Sequence, residues 1–401
     1  MNLKKATAVL AAALLFMGNT YIPVTATDET TDFAGGSGTA EDPWQISNTN
    51  QFQAIAQHLD GHYVLTADID FGGETIEPIG AFVPVGTEGE DAETPTTEDA
   101  FSGTFDGDNH KISNYTIEGA DDAMGVGLFG CLNGKNAAIE NLTVENATIT
   151  GNGASVGAVI GYQGAPVSEI HLEGKNSISG SGLIGGVAGG SKADMSDCSA
   201  VADITMTAEN AQGAGILIGG EEGGSVENCT VTGGSVTTPA GSYSVGALVG
   251  CFHESAYAKN CSVSDVTVTV GENSFMIGAL SGHAGCSGDN KTEISGCSVE
   301  NVTIKAGAGT ERIGGISGGG FYYSPFAEYY PEPCAMEITD CTVTGLKINT
   351  ENDAAATGLV LGYAYNNSTV ENCTADGTLN EENLTQQTGA DEEALALSAL
   401  K

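Results

Sequence analysis

Ten cysteines are the side chains of this chain best suited to chemistry, and six of them recur at one place in a repeating pattern. Cys198, Cys229, Cys261, Cys297, Cys341 and Cys373 follow one another about 30 to 45 residues apart. Thiols in an exported chain ordinarily form disulfides, and thiolates that converge bind zinc. A second set is acidic: Asp68, Asp70, Asp106 and Asp108, with His110 beside them. Paired carboxylates can transfer protons or hold Ca2+ through their oxygens. His58 and His62 stand four apart, a spacing that brings two imidazoles to one face if the segment is helical. A third set is aromatic: Phe321, Tyr322, Tyr323, Phe326, Tyr329 and Tyr330 crowd one short stretch. Exposed rings of this kind stack on sugars or anchor a protein partner.

The elements that must carry these groups follow from the register of the cysteines. Tyr115, Leu142 and Ile170 occupy the same place in three earlier segments. The preceding residues are Asn114, Asn141, Glu169, Asp197, Asn228, Asn260, Gly296, Asp340 and Asn372. All but Glu169 are types that tolerate a left-handed backbone, which predicts a sharp corner. Next comes Ser, Thr or His (Thr143, His171, Ser199, Thr230), then an apolar residue (Val144, Leu172, Ala200, Val231). Corner, apolar, hydroxyl, apolar is a period-two strand with its hydroxyls outward. Eight further segments, from Val126–Gly130 to Gly358–Gly362, close a small apolar run with Gly. A looser Val/Ile/Thr segment, such as Ser235–Thr238, lies between the two. The pattern predicts an all-β, right-handed parallel β-helix with three short strands per coil of about 30 residues.

That architecture reassigns the reactive groups. Stacked cysteines sit one strand spacing apart with parallel side chains, whereas a disulfide needs Cβ atoms about 3.8 Å apart. Tyr115, Leu142 and Ile170 fill the same slot, so the six cysteines read as a structural column of core residues. Cys131, Cys251, Cys286 and Cys334 lie off the column, and Cys251 and Cys286 fall on neighbouring coils where they can pair. Asp106-Gly107-Asp108-Asn109 reads as a turn, with Ca2+ at Asp106 and Asp108 as the weaker alternative. Gly61 ends the helix before His62, which separates the two histidines.

Around the repeats the chain divides further. Residues 1–26 read as a signal peptide: Lys4 and Lys5, the apolar stretch Ala6–Met17, then Val24-Thr25-Ala26. Residues 27–43 form a polar linker. Residues 44–64 form an N-terminal cap with a short helix, Phe52, Ile55, Ala56 and Leu59 making its apolar stripe. Residues 65–378 hold the repeats, and 379–401 an acidic tail or cap. Two segments interrupt the repeats: the acidic stretch 82–100, and 319–334 with its aromatic residues. The 52 acidic against 12 basic residues, a net charge of −40, disfavour nucleic acid and anionic lipid as partners. No later apolar run is long enough for a membrane anchor.

At this level of detail the sequence resembles a known family. Val126-Gly127-Leu128-Phe129-Gly130 and the later Gly-apolar-Gly segments look like GLUG-motif repeats. Phe101–Ile112 and Leu65–Asp70 resemble the lead-in to the first repeat of that family. The resemblance covers roughly residues 38–378 and implies a parallel β-helix of the kind found in bacterial surface and secreted proteins, adhesins among them. In some relatives such repeats stand beside a metallopeptidase domain. This sequence has no His-Glu-x-x-His, and the resemblance brings no catalytic residues. The expectation is a secreted, non-catalytic, adhesin-like protein that needs no cofactor beyond a possible Ca2+. Its partner would be a glycan or protein on a host or bacterial surface, met by the aromatic segment Phe321–Tyr330. The alternative is a carbohydrate-active β-helix enzyme using Asp/Glu pairs, since carboxylates are plentiful.

Overall fold

Left-handed residues turn this chain at fixed intervals, and parallel strands fill the spaces between them. The computed structural model describes residues 33–80, 100–120, 123–285, 291–320, 335–351, 355–365 and 368–391. All nine residues before the column have positive φ, between 53° and 62°. Glu169, the exception by type, adopts it too, at 53°. A second corner follows a few residues later, at Asn146, Gly174, Asp265, Asn301 and Gly345, again with positive φ. Asparagine and glycine reach that region at little cost, so the corners are encoded locally.

The strands form three sheets of 24, 8 and 9 strands; the two smaller ones hold about one strand per coil, giving about eight coils. One coil runs through Met195–Ser196 and Ser199–Met206 in the main sheet. It continues through Gln212–Ala214 in the first minor sheet and Ile218–Glu222 in the second. Each strand pairs in parallel with its counterparts one coil before and one after; Ile178, for example, aligns with Ile149 and Ile204. The fold is thus a parallel β-solenoid of stacked repeats, and strand Thr374–Leu379 of the main sheet ends in a short antiparallel hairpin, Thr378 on Asn383.

The Gly-apolar-Gly segments prove to be corners rather than strands. Gly157–Val159 turns the chain from Ser155–Val156 in one minor sheet to Ile160–Gln163 in the other. A Cβ on Gly157 would lie 2.3 Å from the Ile160 carbonyl oxygen. A Cβ on Gly161 would lie 2.2 Å from the Val126 nitrogen of the preceding coil. Both obstacles are backbone and cannot move aside, so both positions must be glycine. Ala158 and Val159 between them are fully buried and plug the core from this side. The hydroxyl of Tyr115 reaches across and donates to the Ala158 carbonyl at 2.9 Å.

Inside the coils, residues repeat in tiers. Val144, Leu172, Ala200, Val231 and Val263 form one buried tier, and Ile149, Ile178, Ile204, Val236 and Val268 another. Each large side chain removed from water contributes about 1.5–3 kcal/mol, but only because the next coil covers it. At the N-terminal end a helix, α1 (Thr49–Ala54), covers the first coils. Asn48 caps it by accepting from the Gln51 amide at 3.1 Å. Phe52 drives edge-on into Phe71, Phe105 and Phe129. The helix is shorter than the apolar stripe suggests. A 3-10 turn, Ile55–Gln57, follows, so Ala56 is exposed and Leu59 only half-buried.

Candidate functional site

The six column cysteines lie in register. The residues that follow them pair in sequence: Ser199 with Thr230, Thr230 with Ser262, Ser262 with Ser298, Ser298 with Thr342, and Thr342 with Thr374. The first five thiols are buried, and Cys373 in the last full coil is partly exposed. Each is a free thiol. The corner brings each sulfur back over its own chain, where it donates to the carbonyl two residues earlier. Cys198 does so to Ser196 at 3.1 Å, Cys229 to Glu227 at 3.2 Å and Cys297 to Ser295 at 3.3 Å. Contact with the neighbouring thiols, and then burial, push the Cys229 and Cys297 thiols up, so they stay neutral.

The early acidic residues are spent on turns and on links between coils. Asp106 accepts from the Asp108 amide at 2.8 Å and from Asn141 Nδ2 at 3.0 Å. Asp108 and Asn109 both have positive φ, which makes 106–109 a tight turn. Asp68 lies 3.1 Å from His110 Nδ1 and accepts from the Lys111 amide. Those hydrogen bonds hold its carboxyl below the usual range. Asp70 is lowered in the same way, by Asn114 and then by the Gly72 amide. His62 lies on a strand, with Nδ1 2.7 Å from Thr104 Oγ1, and His58 lies beyond the 3-10 turn; no helix joins them. Among the described residues no group of three or more His, Cys, Asp or Glu is placed to share one metal ion.

A mixed aromatic and polar rim stands where side chains of the two minor sheets meet. Tyr243 and Phe275 align on successive coils with ring centroids 5.1 Å apart and planes 9° from parallel. Gln212, one coil earlier, accepts from the Tyr243 hydroxyl at 3.3 Å. Its Nε2 lies 3.4 Å from His253 Nε2 and 3.9 Å from Cys251 Sγ. The rings of His253 and His283 meet edge to face at 5.1 Å. Further along, the Arg312 guanidinium sits 4.7 Å above the ring of Tyr363. Gln212, Tyr243 and Phe275 are half-buried. Phe275 covers one face of Tyr243, and the stacked pair lies beside the Gln212 side-chain amide.

Burial sets the electrostatics here. It pushes the Cys251 thiol up to about 12 and lowers both His253 and His283. A neutral thiol beside neutral imidazoles is not an activated nucleophile. Nearby, Glu221 lies fully buried within the coil, in register with Ser191 and, one coil further back, Gln163. Its Oε1 accepts from the Gly224 amide at 3.0 Å. Burial is the main cause that pushes its carboxyl up to about 8, with the Asp194 charge adding to the effect.

The aromatic segment Phe321, Tyr322, Tyr323, Phe326, Tyr329 and Tyr330 lies outside the described residues, as do Cys286, Cys334 and most of the acidic stretch 82–100. Their anchors are described. Ile79 and Phe101 bridge to Phe129 and Leu132 of the second minor sheet. Strand Ser317–Gly320 of that sheet precedes the aromatic segment, and Ala335–Thr339 of the main sheet follows it. The rim itself escaped sequence reasoning, although a signal was present. Gln212, Tyr243, Phe275 and Glu311 all stand three residues before a motif glycine: Gly215, Gly246, Gly278 and Gly314. Among the described residues no helix is long and apolar enough to cross a membrane.

Fold and site together define a β-solenoid of stacked repeats with a lateral rim. The GLUG motif matches residues 353–380, within a chain whose repeats stack as a parallel β-helix. Halomucin of Haloquadratum walsbyi is 35% identical over 166 residues, which is 40% of this chain and 2% of halomucin. A protein of Evansella cellulosilytica, described as a Gly-rich membrane protein, is 30% identical over 151 residues, 35% of this chain and 16% of that protein. The matched stretch is therefore a small part of either relative. A solved structure from Bacteroides ovatus, described as an immunoglobulin A1 protease, aligns over 92% of this chain and 89% of that one. The identity there is 18% and the TM-score 0.49.

Proposed function

We propose that this protein is a non-catalytic, adhesin-like interaction module that acts outside the cell. In this reading residues 1–26 direct export, 27–43 link, 44–64 cap, 65–378 form the solenoid and 379–401 close its far end. The partner is a protein or glycan displayed on another surface. The observation that carries the reading is the half-buried Gln212–Tyr243–Phe275 stripe, stacked rings beside a side-chain amide. Stripes of this composition are what partner surfaces cover. The names of the relatives, halomucin and a Gly-rich membrane protein, support a place at the cell surface. The acidic composition supports a neutral or cationic partner.

The test is a glycan-array and protein-pulldown screen of three proteins: wild type, Tyr243→Ser with Phe275→Ser, and a deletion of Phe321–Tyr330. Wild type should capture a ligand, and the double substitution should weaken it at least tenfold. Equal capture by all three proteins would remove both the rim and the aromatic segment as contact surfaces.

A further inference from the structure

We propose that the cysteine column is a binding site for two-coordinate soft cations of the Cu+ and Ag+ class, each held between thiols of successive coils. The column runs Cys198, Cys229, Cys261, Cys297, Cys341, Cys373 without interruption, and the neighbouring residues are paired coil by coil. Parallel side chains on stacked strands keep their sulfurs about one strand spacing apart, ~4.8 Å. That is too far for a disulfide, whose sulfurs lie about 2.05 Å apart. It is close to two metal–sulfur bonds of about 2.3 Å laid end to end.

The chemistry of the column selects the ion. Zinc takes four ligands in a tetrahedron, and a linear stack offers any one ion two. Hard cations need about six oxygens or more, whereas each coil offers one sulfur beside backbone carbonyl oxygen, among apolar side chains such as Ile170, Val231 and Val263. Soft thiolate ligands select Cu+ among the biological metals. Charge balance fits as well. For each monovalent ion that enters, one thiol gives up its proton to solvent. The resulting thiolate and the still protonated thiol of the next coil then share the ion. One positive charge replaces another, and the core stays neutral, which its low polarity requires. With each sulfur used once, six thiols hold three ions: Cys198 with Cys229, Cys261 with Cys297, and Cys341 with Cys373. Cys373 is the one partly exposed member, so the column loads from the last coil.

The test uses the full chain with Cys131, Cys251, Cys286 and Cys334 each changed to Ala, so that only the column can respond. The probe is Ag+ in chloride-free buffer, which needs no reductant. Native mass spectrometry should count three Ag+ per chain with the circular dichroism of the β-solenoid unchanged. X-ray absorption should give two sulfur neighbours per ion in linear geometry. Cys261→Ala should lower the count to two; the same slot holds Tyr115, Leu142 and Ile170 in other coils, so a non-thiol side chain is accommodated there. Should that variant fold poorly, Cys373→Ala serves instead. It should also leave two ions and slow their uptake. The proposal is overturned if the folded chain retains no Ag+, if uptake occurs only with loss of β structure, or if the ions show three or four sulfur neighbours.

Discussion

Single residues in this chain are judged by the next coil, one strand spacing away. Glu221 is the sharpest case. Its folded carboxyl holds a proton up to about 8, against an ordinary value of 4.5, because burial disfavours the charge. A raised folded value means that its stability contribution is full below the ordinary value and is lost as pH rises through about 8. At about 1.4 kcal/mol per pH decade, the loss is at most roughly 5 kcal/mol. In metal-free buffer, melting temperature should therefore fall between pH 5 and pH 9. Glu221→Gln, which keeps the shape without the charge, should flatten that slope. A wild-type melting temperature that rises over this range would contradict the assignment.

Glycines make a second residue-scale prediction. Gly161→Ala places a methyl 2.2 Å from a backbone nitrogen and should cost several kcal/mol or prevent folding. Gly233→Ala, with φ of 83° but open space around it, should cost only about 1 kcal/mol. Urea unfolding of the two variants separates close approach from backbone strain; equal losses would contradict the motif's role as a packed corner.

At the scale of elements, the corner is the repeating device. Asn228 combines left-handed φ with a side-chain bond, donating to Asp197 at 3.1 Å. Asn228→Ala should lose about 1–2 kcal/mol in urea unfolding, and Asn228→Gly, which keeps the conformational freedom, should lose less. The first corner, the inward column and the hydroxyls were legible in the sequence because nine copies superpose on a single residue. The second corner was equally present in the sequence but less visible: Asn146, Gly174, Asp265, Asn301 and Gly345 each stand five residues after the first, hidden because Asn, Asp and Gly alternate there. The motif glycines were legible as markers, but their spacing alone cannot distinguish a strand end from a turn between two sheets. Glu221 was illegible for another reason. Its counterparts are Leu132, Gln163, Ser191, Phe252 and Ala284, and nothing in Glu221-Glu222 says which of the two faces inward. The rim could have been found from its fixed offset to the glycines, yet an aromatic there looks like any other strand residue until two minor sheets bring it against Gln212 and His253.

At the scale of the molecule, stacking concentrates charge. The chain carries a net charge of −40, and the described coils lie about 4.8 Å apart, well inside the ~10 Å screening length at 0.1 M salt. Melting temperature should rise by several degrees from 10 mM to 300 mM NaCl, and a fall would mean that paired charges outweigh repulsion. Everything else, from the thiol column to the rim, depends on one property: each coil lies directly on the last in parallel register. Distances between spin labels test this most directly. Labels on the outward hydroxyl column, at Thr143→Cys paired with Ser199→Cys, Ser262→Cys or Thr342→Cys, span two, four and six coils. The account predicts separations that grow linearly, by about 4.8 Å per coil, to roughly 10, 19 and 29 Å before label length is added. Separations that fail to scale with the number of coils would contradict it.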